Sequence, residues 1–276
     1  MKSLKITSAL LAVMLLVTNS YAQSESDQQL TVPLSNPGKP YTLKVHLVQG
    51  SIKVVSYEGK DIIINVSDAE SSDNEKTEKT NQGGMRRIHS AGSYEVSAKE
   101  SDNTITVTSS SPMKTLNLLL KIPQDVKLKV SSVNNGTIEV ENVKGELEVN
   151  NTNGAIKLTN ISGSVVANTI NGNVTASFLS VDSKAPMAFS TLNGDVNVTF
   201  PADTKANLKL KTDFGEIYSD FDIDIDKTQP KAYKTNEPKM YKIKMEGWVQ
   251  GKINGGGPEM LMKNMHGNIY VRKGGK

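Results

Sequence analysis

A glycine recurs every nine residues through the middle of the chain, at Gly136, Gly145, Gly154, Gly163 and Gly172. Every second one follows an asparagine, at Asn135-Gly136, Asn153-Gly154 and Asn171-Gly172, and Asn193-Gly194 continues the series after a short insertion. Self-similarity at a fixed period is the mark of a solenoid or array. The Asn-Gly steps lie 18 residues apart, so the unit is a coil of two nine-residue half-turns. Ile138, Ile156, Val174 and Val196 each sit two residues after a glycine, and Val140, Leu158, Ala176 and Val198 sit four after. The second half-turn supplies Leu147 and Val149, Val165 and Ala167, Met187 and Phe189, and Leu208 and Leu210. That alternation puts one side of each short strand inward. Glu139, Glu148, Lys157, Asn197 and Lys209 fall between and suit a wet face.

The expectation is an all-β, single-chain β-solenoid, right-handed and parallel β-helix-like, with ~18–22-residue coils and two short strands per coil. Glycine, then asparagine, best tolerates the positive φ of a tight turn. Asn-Gly between apolar runs also marks β-hairpins, so a hairpin meander is the competing reading, but it does not explain the nine-residue beat. Asn142, Asn160 and Asn264 each precede a glycine by three and are expected to form side-chain amide ladders between coils.

Residues 1–22 have the form of a secretory signal: Lys2 and Lys5, an apolar core over Ala9–Val17, then Ser20-Tyr21-Ala22 before Gln23. The apolar run is short for a membrane span, and no other segment approaches that length. The chain has no cysteine, so neither a disulfide nor a lipobox anchor is available. Of its 32 Lys and Arg, two lie in the signal, leaving 30 against 29 Asp and Glu. That near-balance, without clustered basic residues and interleaved aromatics, argues against nucleic acid as partner.

Residues 23–40 are punctuated by Pro33, Pro37 and Pro40 and read as a flexible N-terminal segment or a cap. The solenoid then runs over 41–276, with an exposed polar loop inserted at 67–92. Arg86, Arg87 and His89 in that loop could meet an anion, although a solvated loop is the simpler reading. The Asp182–Ala185 and Asp203–Ala206 runs lie 21 residues apart and align Met187 with Leu208 and Gly194 with Gly215, as neighbouring coils would.

No residue earns a catalytic, cofactor-binding or metal-binding assignment. His46, His89 and His266 are far apart and outside any motif. Asp222, Asp224 and Asp226 alternate along one strand face, where their oxygens stand in line and do not surround a calcium ion. Met260, Met262, Met265 and His266 have soft-metal chemistry. Their offsets from Gly267, however, match those of Ile138, Val140 and Val143 from Gly145, so the methionines are expected in the core. A glycosidase pair could form only by stacking, for example Glu139 with Glu146 or Glu148.

The run Pro123-Gln124-Asp125-Val126-Lys127-Leu128-Lys129-Val130, then Val133 through Val149, resembles the bacterial "putative adhesin" domain of unknown function, a family of exported β-helical repeat proteins. Gly255-Gly256-Gly257-Pro258 followed by Gly267-Asn268-Ile269-Tyr270-Val271-Arg272 is similar to the close of such chains, and the resemblance covers Tyr41 to Arg272. It implies a periplasmic, cell-surface or secreted location and a binding or structural role, with an envelope polysaccharide or protein as partner. A polysaccharide-active enzyme on a β-helix scaffold and an envelope-stress signalling accessory are the alternatives. The resemblance carries no site residues and no cofactor.

Overall fold

The computed structural model describes residues 28–69, 93–226, 231–237 and 240–275, with 231–237 and 240–246 described by strand pairing alone. The expected signal and residues 70–92 of the expected loop, with Arg86, Arg87 and His89, lie outside the described residues, while Ser67 and Asp68, expected in that loop, close the strand Asp61–Asp68 because they stay paired with Asn117 and Leu116. No described residue is helical. In chain order the strands begin β1 (Gln28–Pro33), β2 (Tyr41–Gln49), β3 (Ile52–Ser56) and β4 (Asp61–Asp68). There follow β5 (Val96–Ser101), β6 (Thr104–Ser109), β7 (Leu116–Ile122), β8 (Val126–Asn134) and β9 (Ile138–Glu141). The repeat proper gives β10 (Lys144–Asn151), β11 (Ile156–Asn168), β12 (Val174–Val181), β13 (Met187–Ser190) and β14 (Val196–Phe200). Then come β15 (Ala206–Phe214), β16 (Ile217–Ser219), β17 (Asp224–Ile225), β18 (Lys231–Glu237) and β19 (Met240–Glu246). The chain closes with β20 (Val249–Ile253), β21 (Glu259–His266) and β22 (Ile269–Lys273).

Glycine periodicity becomes parallel register. Gly145 pairs with Gly163, Leu147 with Leu128 and Val166 with Ala188, so these rungs lie 18 to 22 residues apart. Each coil gives one strand to each of two ladders. The first runs β6, β2, β8, β10, the second half of β11, β13, β21, β15. The second runs β7, β3, β9, the first half of β11, β12, β14, β22, β16. Their inward columns are nearly pure aliphatic. One reads Leu118, Ile52, Ile138, Ile156, Val174, Val196, Ile269, Ile217, and all but the last are buried. Phe178 stacks on Phe200 at 5.3 Å and meets Phe189 edge-on within the same core.

The coils are not stacked in chain order. The first coil, β2–β3, lies between β6–β7 and β8–β9, one layer inside its end. The last coil, β21–β22, likewise lies between β13–β14 and β15–β16. The Met187 and Leu208 coils, expected as neighbours, are therefore separated by the layer of Met260, which pairs with both. Among the described residues, antiparallel strands cap three of the four ladder ends: β5 on β6, β4 and then β1 on β7, and β20, itself paired with β17, on β15. Residues Ile62–Val66, which continue the nine-residue beat on paper, thus belong to a cap and not to a coil.

The glycines serve a purpose other than the expected turn. Gly154 has no positive φ, yet a Cβ there would lie 1.9 Å from the Gly136 carbonyl oxygen. The same crowding recurs at Gly136, Gly172, Gly194, Gly267 and Gly215, each against the glycine carbonyl one layer away. Those carbonyls point at the next coil, and a side chain three or four residues before its glycine donates to them. Ser132 binds Gly50 O, Asn151 binds Gly136 O, Thr169 binds Gly154 O, Thr191 binds Gly172 O, Asn264 binds Gly194 O and Thr212 binds Gly267 O, at 2.8–3.2 Å. Buried carbonyls need such partners, so this polar row is part of the core's construction.

Candidate functional site

Two corners of the stack face solvent, and each is shaped by what the repeat puts there. At one corner stand the half-turn glycines Gly145 and Gly163, where a Cβ would fall within 1.9 and 2.1 Å of the preceding layer's carbonyl oxygen. No side chain fits there, so backbone meets backbone between the layers at this corner. A groove of about 760 Å³ follows it, floored by Gly145 and Gly163 and walled by Glu146, Glu148, Ser162, Ser164, Ser180 and Asp182. It shares Asp125, Gly145 and Glu146 with a second recess of about 800 Å³ reaching Leu34, Lys60 and Tyr41. It shares Ser180 and Val181 with a third, of about 420 Å³, reaching Lys205 and Pro258. The three form one trough along the stack, crossing layers about 4.8 Å apart.

Three ion pairs line it. Lys127 meets Glu146 at 3.0 Å, Lys129 meets Glu148 at 2.6 Å and Lys144 meets Asp125 at 2.9 Å. The hydrogen bond from Lys129 holds the Glu148 carboxyl below its usual range, and the same bond raises Lys129. A glycosidase acid needs the opposite shift. At the N-terminal end, burial pushes the Tyr41 hydroxyl well above the usual phenol range while it donates to Pro123 O at 2.7 Å.

Stacking does not bring the suggested carboxylates together. Glu139 is on β9 in the second ladder, 3.5 Å from Lys53, whereas Glu146 and Glu148 are on β10 in the first. The separation of seven or nine residues crosses a half-turn, so the two sides face different ways.

The opposite corner carries a ladder of amides. Asn153 Nδ2 donates to Asn134 Oδ1, Asn171 to Asn153 and Asn193 to Asn171, each at 2.8 Å. His266 occupies the next rung, and its ring stacks on Phe214 at 4.9 Å. One residue upstream of the rungs at 171, 193 and 266 stand exposed Ile170, Leu192 and Met265. Around the second ladder, Tyr218 stacks on Tyr270 at 5.2 Å, and the Arg272 guanidinium lies over Tyr270 while donating to Asn197.

The methionine expectation is therefore corrected in part. Met260 and Met262 are fully buried, but Met265 is 37 % exposed. The cause is phase: Gly267 lies against Gly194, an Asn-Gly position, and not in the half-turn column of Gly145. The asparagine ladder is corrected likewise. Asn160 does bond Asn142, at 3.0 Å, but Asn264 belongs to the buried polar row. His46 bonds Ser131 on the outer face. Of the aspartates considered for calcium, Asp224 lies in β17 and Asp222 and Asp226 flank it. The trough serines were not singled out from sequence, although Ser162-Gly163-Ser164, short residues around a half-turn glycine, is the signal that marks them.

The model of the Toastrack DUF4097 family matches residues 20–247. No match was found among the curated proteins. Among solved structures, the chain is similar to a "putative cell adhesion protein" from Clostridium sporogenes at 11 % identity and a TM-score of 0.42, over 89 % of this chain and 99 % of that one. It is also similar to a "putative adhesin" from Bacteroides fragilis at 9 % identity and a TM-score of 0.29, over 89 % and 98 %.

Proposed function

The chain belongs to the Toastrack DUF4097 family, and from that premise we propose that it is an exported, non-enzymatic, adhesin-like scaffold that binds an extended polymer in the cell envelope. The observation that carries this reading is the trough. It runs over several layers and is lined by short hydroxyls and by carboxylates, of which Glu146 and Glu148 are paired with lysines. Such a surface offers many weak, repeated contacts and no group tuned for proton transfer, which suits recognition more than turnover. An envelope polysaccharide is the favoured occupant, because a repeating ligand can match a repeating wall. The scaffold is a right-handed coil of 18 to 22 residues with two strands per turn, and residues 1–22 direct it out of the cytoplasm.

The test is retention. Tagged residues 23–276 are incubated with envelope extract, and bound glycans and proteins are analysed separately. A retained glycan, lost on substituting Ser162 and Ser164 by lysine, supports the proposal. A retained membrane protein with no glycan replaces it with a role in envelope signalling, and glycan binding untouched by the trough variant moves the site elsewhere.

A further inference from the structure

Five Asn-Gly steps occur in this chain, and chemically they are alike: Asn135-Gly136, Asn153-Gly154, Asn171-Gly172, Asn193-Gly194 and Asn254-Gly255. The fold treats one of them differently. At residues 153, 171 and 193 the asparagine amide is a rung of the ladder, donating at 2.8 Å to the amide one layer away. The glycine N–H that follows is also engaged: Gly154 donates to Asn171 O, Gly172 to Asn193 O and Gly194 to His266 O, at 2.8–2.9 Å. Asn254 is pinned by its amide to Ala202 O and Thr204 O.

Asn135 has none of this. The ladder's first rung is Asn134, 19 residues before Asn153, while the glycines of the same two coils are 18 apart. The extra residue is Asn135. It is squeezed out of the ladder, sits exposed at φ 56°, and among the described residues its amide and the Gly136 N–H find no hydrogen-bond partner.

We propose that Asn135-Gly136 is a site of spontaneous modification, converted by water to aspartate and isoaspartate, and that the fold protects the other Asn-Gly steps. The Gly136 amide nitrogen gives up its proton to solvent base and attacks Asn135 Cγ. The Cγ–Nδ2 bond breaks and ammonia leaves with a proton from water, closing a succinimide. Water then adds to either ring carbonyl and one ring C–N bond opens, leaving a carboxylate. The sum is asparagine plus water to aspartate or isoaspartate plus ammonia, with no change of oxidation state. Attack needs a free glycine nitrogen and a side chain free to swing over it, and only residue 135 has both.

The site also matters mechanically. Gly136 lies so close beneath the Gly50 carbonyl that even a Cβ would come to 1.9 Å. The extra backbone methylene of isoaspartate falls next to that contact, between the β2–β3 and β8–β9 layers, and loosens the N-terminal coil from the repeat.

The test follows the intact protein at mildly alkaline pH and body temperature, with peptide mass spectrometry that separates aspartate from isoaspartate. In the folded protein the Asn135 peptide should convert about tenfold or more faster than each of the other four, the ratio that about 1.4 kcal/mol of added barrier produces. In denaturant the five should converge, which isolates the fold as the cause. Asn135→Gln should abolish the folded-state signal. Equal folded-state rates, or faster reaction at a ladder asparagine, would overturn the proposal.

Discussion

Replacing Thr191 by valine isolates the polar row that joins the coils. Thr191 is 5 % exposed, and its hydroxyl donates to the Gly172 carbonyl at 2.8 Å. No other donor reaches that oxygen among the described residues. Valine keeps the shape and removes only the donor. An orphaned buried carbonyl costs about 1–3 kcal/mol, and the methyl that replaces the hydroxyl returns up to about 0.8 kcal/mol. The net loss should be about 1–2 kcal/mol, which for a domain of this size lowers Tm by about 2–8 °C. Urea and thermal melts followed by two probes would measure it, since a solenoid can unfold in parts and coincident transitions must be checked first. Thr175→Val, on the exposed outer face of β12, is the control and should be nearly silent. If Thr191→Val matched wild type as closely as Thr175→Val does, the polar row would not be holding neighbouring layers together.

Ile156→Asp should unfold the domain, because Ile156 is wholly buried between Ile138 and Val174 and an unpaired buried charge costs several kcal/mol, most of the stability a domain has. Lys157→Asp, one residue on and facing water, should change little; equal melting temperatures would refute the inward assignment. A stop after residue 254 removes β21 and β22, an inner layer whose Met260, Met262, Ile269 and Val271 are buried, so it should cost far more than loss of an end cap. An unchanged melt and unchanged proteolysis would contradict the layer order. Glu148→Gln should reduce stability slightly at neutral pH. The Glu148 pKa is depressed by Lys129, so its contribution is present above the unfolded carboxylate pKa and disappears as pH falls through the folded value. A gap to wild type that persisted in acid would disprove that origin, and added salt should shrink it at neutral pH.

Much of this molecule was legible because the code is local. Alternation tells a strand which side is wet, and the column through Ile138 and Ile156 is buried as the spacing requires. The Asn-Gly period placed the corners. It did not reveal why glycine stands there. Positive φ explains Gly172 and Gly194 only in part and Gly154 not at all; the carbonyl of the next layer does, and that is a contact between residues 18 or more apart. The trough was hidden for the same reason, since its lining is assembled from several layers.

Sequence by itself determined the strand content, the inward face and the repeat, because each follows from spacing within a few residues. Only tertiary structure decided the order of the layers. The inward columns offer any coil nearly the same aliphatic surface, so pairing β15 with β13 or with β21 satisfies the pattern equally well. What breaks that degeneracy is long-range: the antiparallel caps at the ends, and connections that return the first and last coils to positions one layer inside. The contact of Gly267 with Gly194 and the place of Met260 between Met187 and Leu208 follow from that choice, and no local period records it.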